Sequence, residues 1–378
     1  MSAGLWITVW VLALGVLVYT YIGYPVLIIW LARRRPKPVH KEPNAQRTIT
    51  IILAVHDEQN TIEAKINNIV ALDYPDSLVE VVVVDDGSTD NTSTILQECV
   101  ARFPNRVIKV VTQTEAKGKA VALARGVEES TGELLLFCDA RQRIAPEAAL
   151  ELVATFADES VGAASGELVL DSAEGAGLYW LYERAIRMAE GQHDSVIGVT
   201  GALYMIRKDL YEAFPPNIIL DDVWQPMQIA LRGYRVLFVP TAKVFDQEAK
   251  LEREFQRKTR TLAGNFQLMA VMPELLSPRR NRLFGAFLSH KVMRLLCPYA
   301  LLLLWVSTLF LLNVSAFSWL WWTSFVGQAV FYVLAGLTLL TSRDWGRLAR
   351  VAGTFVVLNW AAVMGFIRFL RGDFRWTR

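Results

Sequence analysis

The chain has 378 residues, 53% of them hydrophobic, with 39 basic against 37 acidic side chains and a formal charge of +2. That balance excludes the basic footprint of a nucleic-acid binder, so no nucleic acid is expected as a partner. Three cysteines (Cys99, Cys138, Cys297) follow neither a metal-ligand nor a disulfide spacing, and the four histidines are scattered, which excludes a disulfide scaffold and a histidine-based metal centre.

From Met1 to Ala32 there is no charged side chain, a length sufficient to cross a bilayer with some tilt. The stretch lacks a basic start and is too long for a cleaved signal peptide. Arg33-Arg34-Arg35-Pro36-Lys37 follows at once, and by the positive-inside rule residues 33 to about 290 are expected in the cytosol.

A soluble domain follows. Thr48 to Val55 reads as a buried strand, and Thr61 to Ala71 as a helix with Ile62, Ile66, Ile69 and Val70 on one face. Glu80 to Val84 is a second strand, followed by the helix Ser93 to Phe103 and the strand Val107 to Val111. Lys119 to Glu129 is helical, and Glu133 to Cys138 is a strand ending at Asp139. The alternation predicts an α/β fold with a mostly parallel, nucleotide-binding sheet. In such a sheet the loops at the carboxyl ends of the strands form the ligand crevice.

Those loops carry carboxylates: Asp57 and Glu58, Asp85 and Asp86 in Asp85-Asp86-Gly87-Ser88-Thr89-Asp90, and Asp139. Two adjacent acids are costly to hold together unless a ligand or hydrogen bonds engage them. The alternative for this string is a turn in which Ser88 or Asp90 caps the next helix. Lys117-Gly118-Lys119 opens a helix, where an ammonium suits a diphosphate; the alternative is a solvated basic turn. Asp221 and Asp222 precede the helical spacing of Trp224 to Leu231, and helix capping is again the alternative.

At the carboxy-terminal side, Leu295 to Ser342 is uncharged and exceeds one span, with a turn at Asn313 to Ser318, so two helices fit. Val351 to Ile367 is just long enough for a third. If it crosses, Arg368, Arg371, Arg375 and Arg378 lie outside, against the positive-inside rule; the alternative is a segment in the interface, and the parity stays open. The expected domains are an amino-terminal span (1–32), a cytosolic domain (33–272), a basic interfacial segment (273–294), a membrane region of two to three helices (295–371) and a basic tail (372–378).

The string Val84-Asp85-Asp86-Gly87-Ser88-Thr89-Asp90-Asn91-Thr92, preceded by Ala54-Val55-His56-Asp57-Glu58, resembles the nucleotide half of the family-2 inverting glycosyltransferases. These have a GT-A fold, and their membrane-bound branch includes cellulose, chitin, hyaluronan and poly-N-acetylglucosamine synthases. The resemblance covers roughly residues 48 to 265. It implies that Asp57, Glu58, Asp85 and Asp86 hold base and ribose, and that Lys119 and Arg257 contact the sugar nucleotide. Phe137-Cys138-Asp139-Ala140-Arg141 stands where the family has Asp-x-Asp, which implies Asp139 as a nucleotide-site ligand to Mg²⁺ or Mn²⁺, with Arg141 replacing the second acid. It further implies Asp222 as general base, oriented by Asp221, and Gly201 on the acceptor wall. In Phe255 to Asn265 the arginine of the family's Gln-x-x-Arg-Trp is matched by Arg260, while Arg257 replaces the glutamine and Thr261 the tryptophan, which implies Arg260 clamping the diphosphate and Thr261 at the acceptor position.

The implied activity is transfer from a nucleotide-sugar donor, expected to be UDP-linked, to a polysaccharide or lipid-linked acceptor. The alternatives are transfer to a polyprenyl phosphate and a non-catalytic nucleotide-binding membrane protein. The expected location is a bilayer, that of a bacterial inner membrane, with the catalytic domain cytoplasmic.

Overall fold

A computed structural model describes residues 3–170, 178–215, 217–247, 251–341, 343 and 345–372, without the side chains of 178 and 251–254. The expected basic tail lies outside the described residues from position 373 onward. The chain divides into two compact units. One is built on residues 28–247 with 277–283, and the other on 3–27, 251–276 and 284–372.

The first unit is built on eight strands: β1 (Ile49–Val55), β2 (Val79–Asp85), β3 (Val107–Thr112), β4 (Leu134–Cys138), β5 (Arg143–Ile144), β6 (Val161–Leu170), β7 (Leu203–Arg207) and β8 (Arg235–Asp246). Their order in the sheet is β3-β2-β1-β4-β7-β6-β8-β5. As the alternation predicts, β3, β2, β1 and β4 pair in parallel. β7 then runs antiparallel between β4 and β6, β8 pairs parallel with β6, and β5 closes the edge antiparallel. The sheet is therefore mixed.

Numbered along the whole chain, the helices begin with α1 (Ala3–Val18) and α2 (Tyr24–Arg34). Those of the sheet unit are α3 (Ile62–Val70), α4 (Thr92–Arg102), α5 (Lys119–Glu128), α6 (Ala148–Val153), α7 (Leu178–His193) and α8 (Asp221–Leu231). The run Val81 to Val84 is buried because helices cover both faces: Val81 and Val83 join Ile62, Ile66 and Leu96 on one side, and Val82 and Val84 pack on Ala122 on the other. The segment leading into the sheet is tied down by Arg235, whose guanidinium donates to the carbonyls of Lys37 and Pro38.

The register sets the functional edge. Val55 pairs with Asp85, and Leu53 with Cys138, so the loops after β1, β2 and β4 leave the sheet side by side. Because β7 is antiparallel to β4, with Leu203 opposite Cys138, it begins at that same edge and brings Gly201 there.

The second unit is helical: α9 (Leu251–Val271), α10 (Phe284–Phe287), α11 (Met293–Leu311), α12 (Ser318–Leu340) and α13 (Arg347–Leu370), with the amino-terminal part of the chain. Among the described residues four helical stretches are long and apolar enough to cross a membrane: Ala3–Arg34, Phe284–Leu311, Ser318–Leu340 and Arg347–Leu370. The second starts at Phe284, within the stretch expected to be interfacial. Trp6 stacks on Phe310 at 4.2 Å, and Trp10 donates from Nε1 to Ser324 Oγ at 3.2 Å.

Candidate active site

The loops after β1 and β2 form one hydrogen-bonded platform. Asp85 is fully buried; its Oδ1 accepts the Ser88 N–H at 3.0 Å and its Oδ2 the Ser93 hydroxyl. Asp86 accepts the backbone N–H groups of Lys117 and Gly118, one on each oxygen, at 2.7 and 2.8 Å. Two adjacent carboxylates are thus satisfied by local donors, which resolves the cost of placing them together. Asp90 accepts the Thr92 N–H at 2.9 Å in a turn one residue ahead of the cap position, Asn91, which itself makes no side-chain cap bond to α4. Gly87 has a positive φ of 65°, and a Cβ there would stand 2.6 Å from the Glu115 carbonyl carbon; only glycine lets this turn meet the next loop. Asp57 accepts the Thr89 N–H at 2.7 Å, while Glu58 accepts the Thr61 hydroxyl at 2.7 Å and lies 3.5 Å from Arg141 Nε. Arg141, standing in for an acid, thereby neutralises one.

Lys119, at the start of α5, joins the two halves of the edge. Its Nζ lies 3.0 Å from Asp139 Oδ1 and 3.2 Å from Asp221 Oδ2. Burial disfavours the ammonium, but Asp139 and Asp221 outweigh it, and the lysine pKa stands raised. Beneath these acids lies Tyr204 of β7, stacked on Phe137 with ring centroids 4.7 Å apart. Its hydroxyl is buried with no hydrogen-bond partner among the described groups, and its pKa is pushed well above the ordinary tyrosine value by burial and then by Asp221 and Asp222.

Helix α8 begins at Asp221, so both acids occupy its first turn, where the helix dipole favours negative charge. Pro226, inside α8, has no N–H to offer the carbonyl four residues back. That carbonyl, of Asp222, accepts the Val199 N–H at 2.8 Å instead. The bond fixes the turn into β7 against Asp222, and a Cβ at Gly201 would lie 3.3 Å from Asp222 Oδ2. Arg187 of α7 braces the same turn, donating to Thr200 Oγ1 at 3.0 Å and to Ser165 Oγ at 2.8 Å. A cavity of about 180 Å³ opens beside it, lined by Glu167, Trp180, Glu183, Arg184, Arg187 and Thr200 among others.

Of the residues singled out in the sequence, Asp57, Glu58, Asp85, Asp86, Lys119, Asp139, Gly201, Asp221 and Asp222 all lie in the sheet unit, at the edge just described. Arg257, Arg260 and Thr261 belong to α9 in the helical unit, where the Thr261 hydroxyl donates to the Arg257 carbonyl at 3.0 Å. The sequence gives Arg187 no role, and places Tyr204 only within the Gly201-to-Tyr204 stretch of the acceptor wall implied by the resemblance.

Among the described residues no three acids, histidines or cysteines converge as a closed metal site. Asp139 offers one carboxylate, its side chain 38% exposed, with one oxygen on Lys119. A magnesium-type cation takes one or two carboxylates when phosphate oxygens supply the rest. The donor set fits a cation that arrives with a diphosphate.

Residues 50–214 match the family described as Glycosyl transferase family 2, and residues 134–339 match Glycosyl transferase family group 2. The probable glycosyltransferase YdaM of Bacillus subtilis is 25% identical over 250 residues, 62% of this chain and 59% of that protein. The poly-beta-1,6-N-acetyl-D-glucosamine synthase of Staphylococcus aureus is 26% identical over 204 residues, 51% of this chain and 48% of the synthase. The chain thus spans about half the length of these curated relatives. A mannosyltransferase from Pyrobaculum calidifontis, solved with GDP-Man and Mn²⁺, superposes with a TM-score of 0.74 at 21% identity over 97% of this chain and 99% of its own. That likeness shows the GT-A fold.

Proposed function

This chain belongs to glycosyl transferase family group 2, and on that premise we propose that it is a membrane-anchored inverting glycosyltransferase moving a sugar from a UDP-sugar to a polysaccharide or lipid-linked saccharide. The observation that carries the reading is the meeting of Asp139, Lys119, Asp221 and Asp222 at one sheet edge. The donor's base and ribose lie on the Asp57–Glu58 and Asp85–Asp86 platform, and Lys119 faces the diphosphate. Asp139 would hold Mg²⁺ or Mn²⁺, which would supply positive charge against that developing on the departing phosphates.

Asp222 takes the proton of an acceptor hydroxyl as that oxygen bonds to the anomeric carbon. The bond from that carbon to the diphosphate breaks on the opposite face, and the nucleoside diphosphate departs with the electron pair. Asp221, held by Lys119, orients its neighbour. The resemblance assigns Arg260 to the diphosphate, Arg257 to the sugar nucleotide and Thr261 to the acceptor. The four apolar helices support insertion in a bilayer, for which a bacterial inner membrane is our reading.

The test is nucleotide release by the purified full chain across UDP- and GDP-sugars, with Mn²⁺ or with EDTA. The expected result is release from one UDP-sugar that EDTA abolishes and Asp139→Asn reduces at least tenfold. Release from no donor contradicts the reading.

A further inference from the structure

Tyr204 stands in the middle of the sheet, opposite Phe137 of β4 on one side and Ser165 of β6 on the other. Its ring lies nearly parallel to that of Phe137, at 13°, and the residue is only 1% exposed, so neither donor nor acceptor reaches it. Its hydroxyl is buried with no hydrogen-bond partner among the described residues. Of the charges that act on it, those of Asp221 and Asp222 come first. A buried hydroxyl left unpaired costs stability, and a phenylalanine would fill the same space without that cost. A tyrosine here needs a reason.

The reason lies with Asp221. Its Oδ2 is also buried and accepts no hydrogen bond among the described residues; the Lys119 ammonium, 3.2 Å away, is the charge that steadies it. That ammonium is divided, since Asp139 Oδ1 stands 3.0 Å from it on the other side. A diphosphate that draws Lys119 to its own oxygens withdraws it from Asp221. Asp221 and Asp222 would then stand side by side in the first turn of α8 with their compensating cation gone. Two like charges so placed favour a proton held between them, which would occupy the base.

We propose that Tyr204 is a positioning residue: when the donor's diphosphate engages Lys119, the Tyr204 hydroxyl donates to Asp221 and holds that carboxylate ionised and in place beside Asp222. This rests on Asp222 as the base and on Lys119 as the diphosphate's partner. The hydroxyl that is unpaired in the free protein is a donor kept for the bound state, and it acts on the reaction only through Asp221. Tyr211 supplies the comparison. Its hydroxyl is likewise buried without a partner among the described residues, and its ring lies 6.4 Å from Phe137. The charges that act on it are those of Glu128 and Asp221, without Asp222, so it stands on the side away from the base.

The test compares Tyr204→Phe and Tyr211→Phe with the unaltered full chain in detergent. Nucleotide release from the donor that the unaltered chain uses gives kcat, calorimetric titration with UDP and with GDP gives affinity, and thermal unfolding without ligand gives stability. For Tyr204→Phe the expected kcat is lower by roughly tenfold or more, the worth of a hydrogen bond to a charged group, with nucleotide affinity changed less than about threefold. Its melting temperature is expected to be no lower, because the hydroxyl removed has no partner in the free protein. Tyr211→Phe is expected to leave kcat unchanged. Unchanged kcat in Tyr204→Phe overturns the inference, as does an equal loss in Tyr211→Phe or a melting temperature that falls along with kcat. Release from no donor by the unaltered chain overturns instead the function on which the inference rests, so the two failures are told apart.

Discussion

Asp222 owes its position to what its neighbours lack. Pro226 lacks an N–H and Gly201 lacks a Cβ, so the turn into β7 closes directly onto the carboxylate. Gly201→Val is expected to lower kcat at least tenfold through misplacement of the base, with the melting temperature nearly unchanged. Gly87→Ala should instead cost stability, about 1–3 kcal/mol in denaturant unfolding, because the methyl meets the Glu115 backbone at a positive φ. Lys119→Met should weaken nucleoside diphosphate binding about tenfold or more in calorimetric titration, the worth of a charge-assisted contact. Asp57, Asp85, Asp86, Asp139 and Asp222 were legible in the sequence because each stands at a junction that local hydrophobic pattern marks. Tyr204 and Arg187 were not, because what they touch depends on strands paired across long stretches of chain.

At the level of elements, the alternation of strands and helices announced β1 to β4 but not the insertion of β7. An antiparallel strand carries no local mark of its direction, and β7 is buried almost throughout, as is β4 beside it. Pro226→Ala would restore the helical donor to the Asp222 carbonyl and loosen its bond to Val199; the expected outcome is a lower kcat with the helix content of the circular dichroism spectrum unchanged. Acid sensitivity also belongs here. Glu80 of β2 is penalised by burial, but Lys109, Thr50 and Thr131 hold its carboxyl below the ordinary value. Asp194, after α7, is likewise held low by Lys37 and Arg282 against the cost of burial. A depressed carboxyl stabilises the fold above its unfolded pKa, about 4, and that contribution fades as pH falls through the folded value. The thermal midpoint in detergent should therefore hold steady down to about pH 5 and fall below about pH 4, and Glu80→Gln should flatten that fall.

The whole molecule joins a mixed α/β unit to an apolar helical unit, and both were visible in the sequence as separate periodicities. What the sequence left open was the parity of the spans, because hydropathy gives the length of α13 but not whether it crosses. The central claim is that one carboxylate, Asp222, drives a single displacement on a bound nucleotide sugar. It is tested most directly by measuring, on the purified full chain, turnover and donor affinity of Asp222→Asn beside the unaltered enzyme. The account predicts that turnover falls by about 10²–10⁴ while donor affinity changes less than threefold. Unchanged turnover in Asp222→Asn would contradict it.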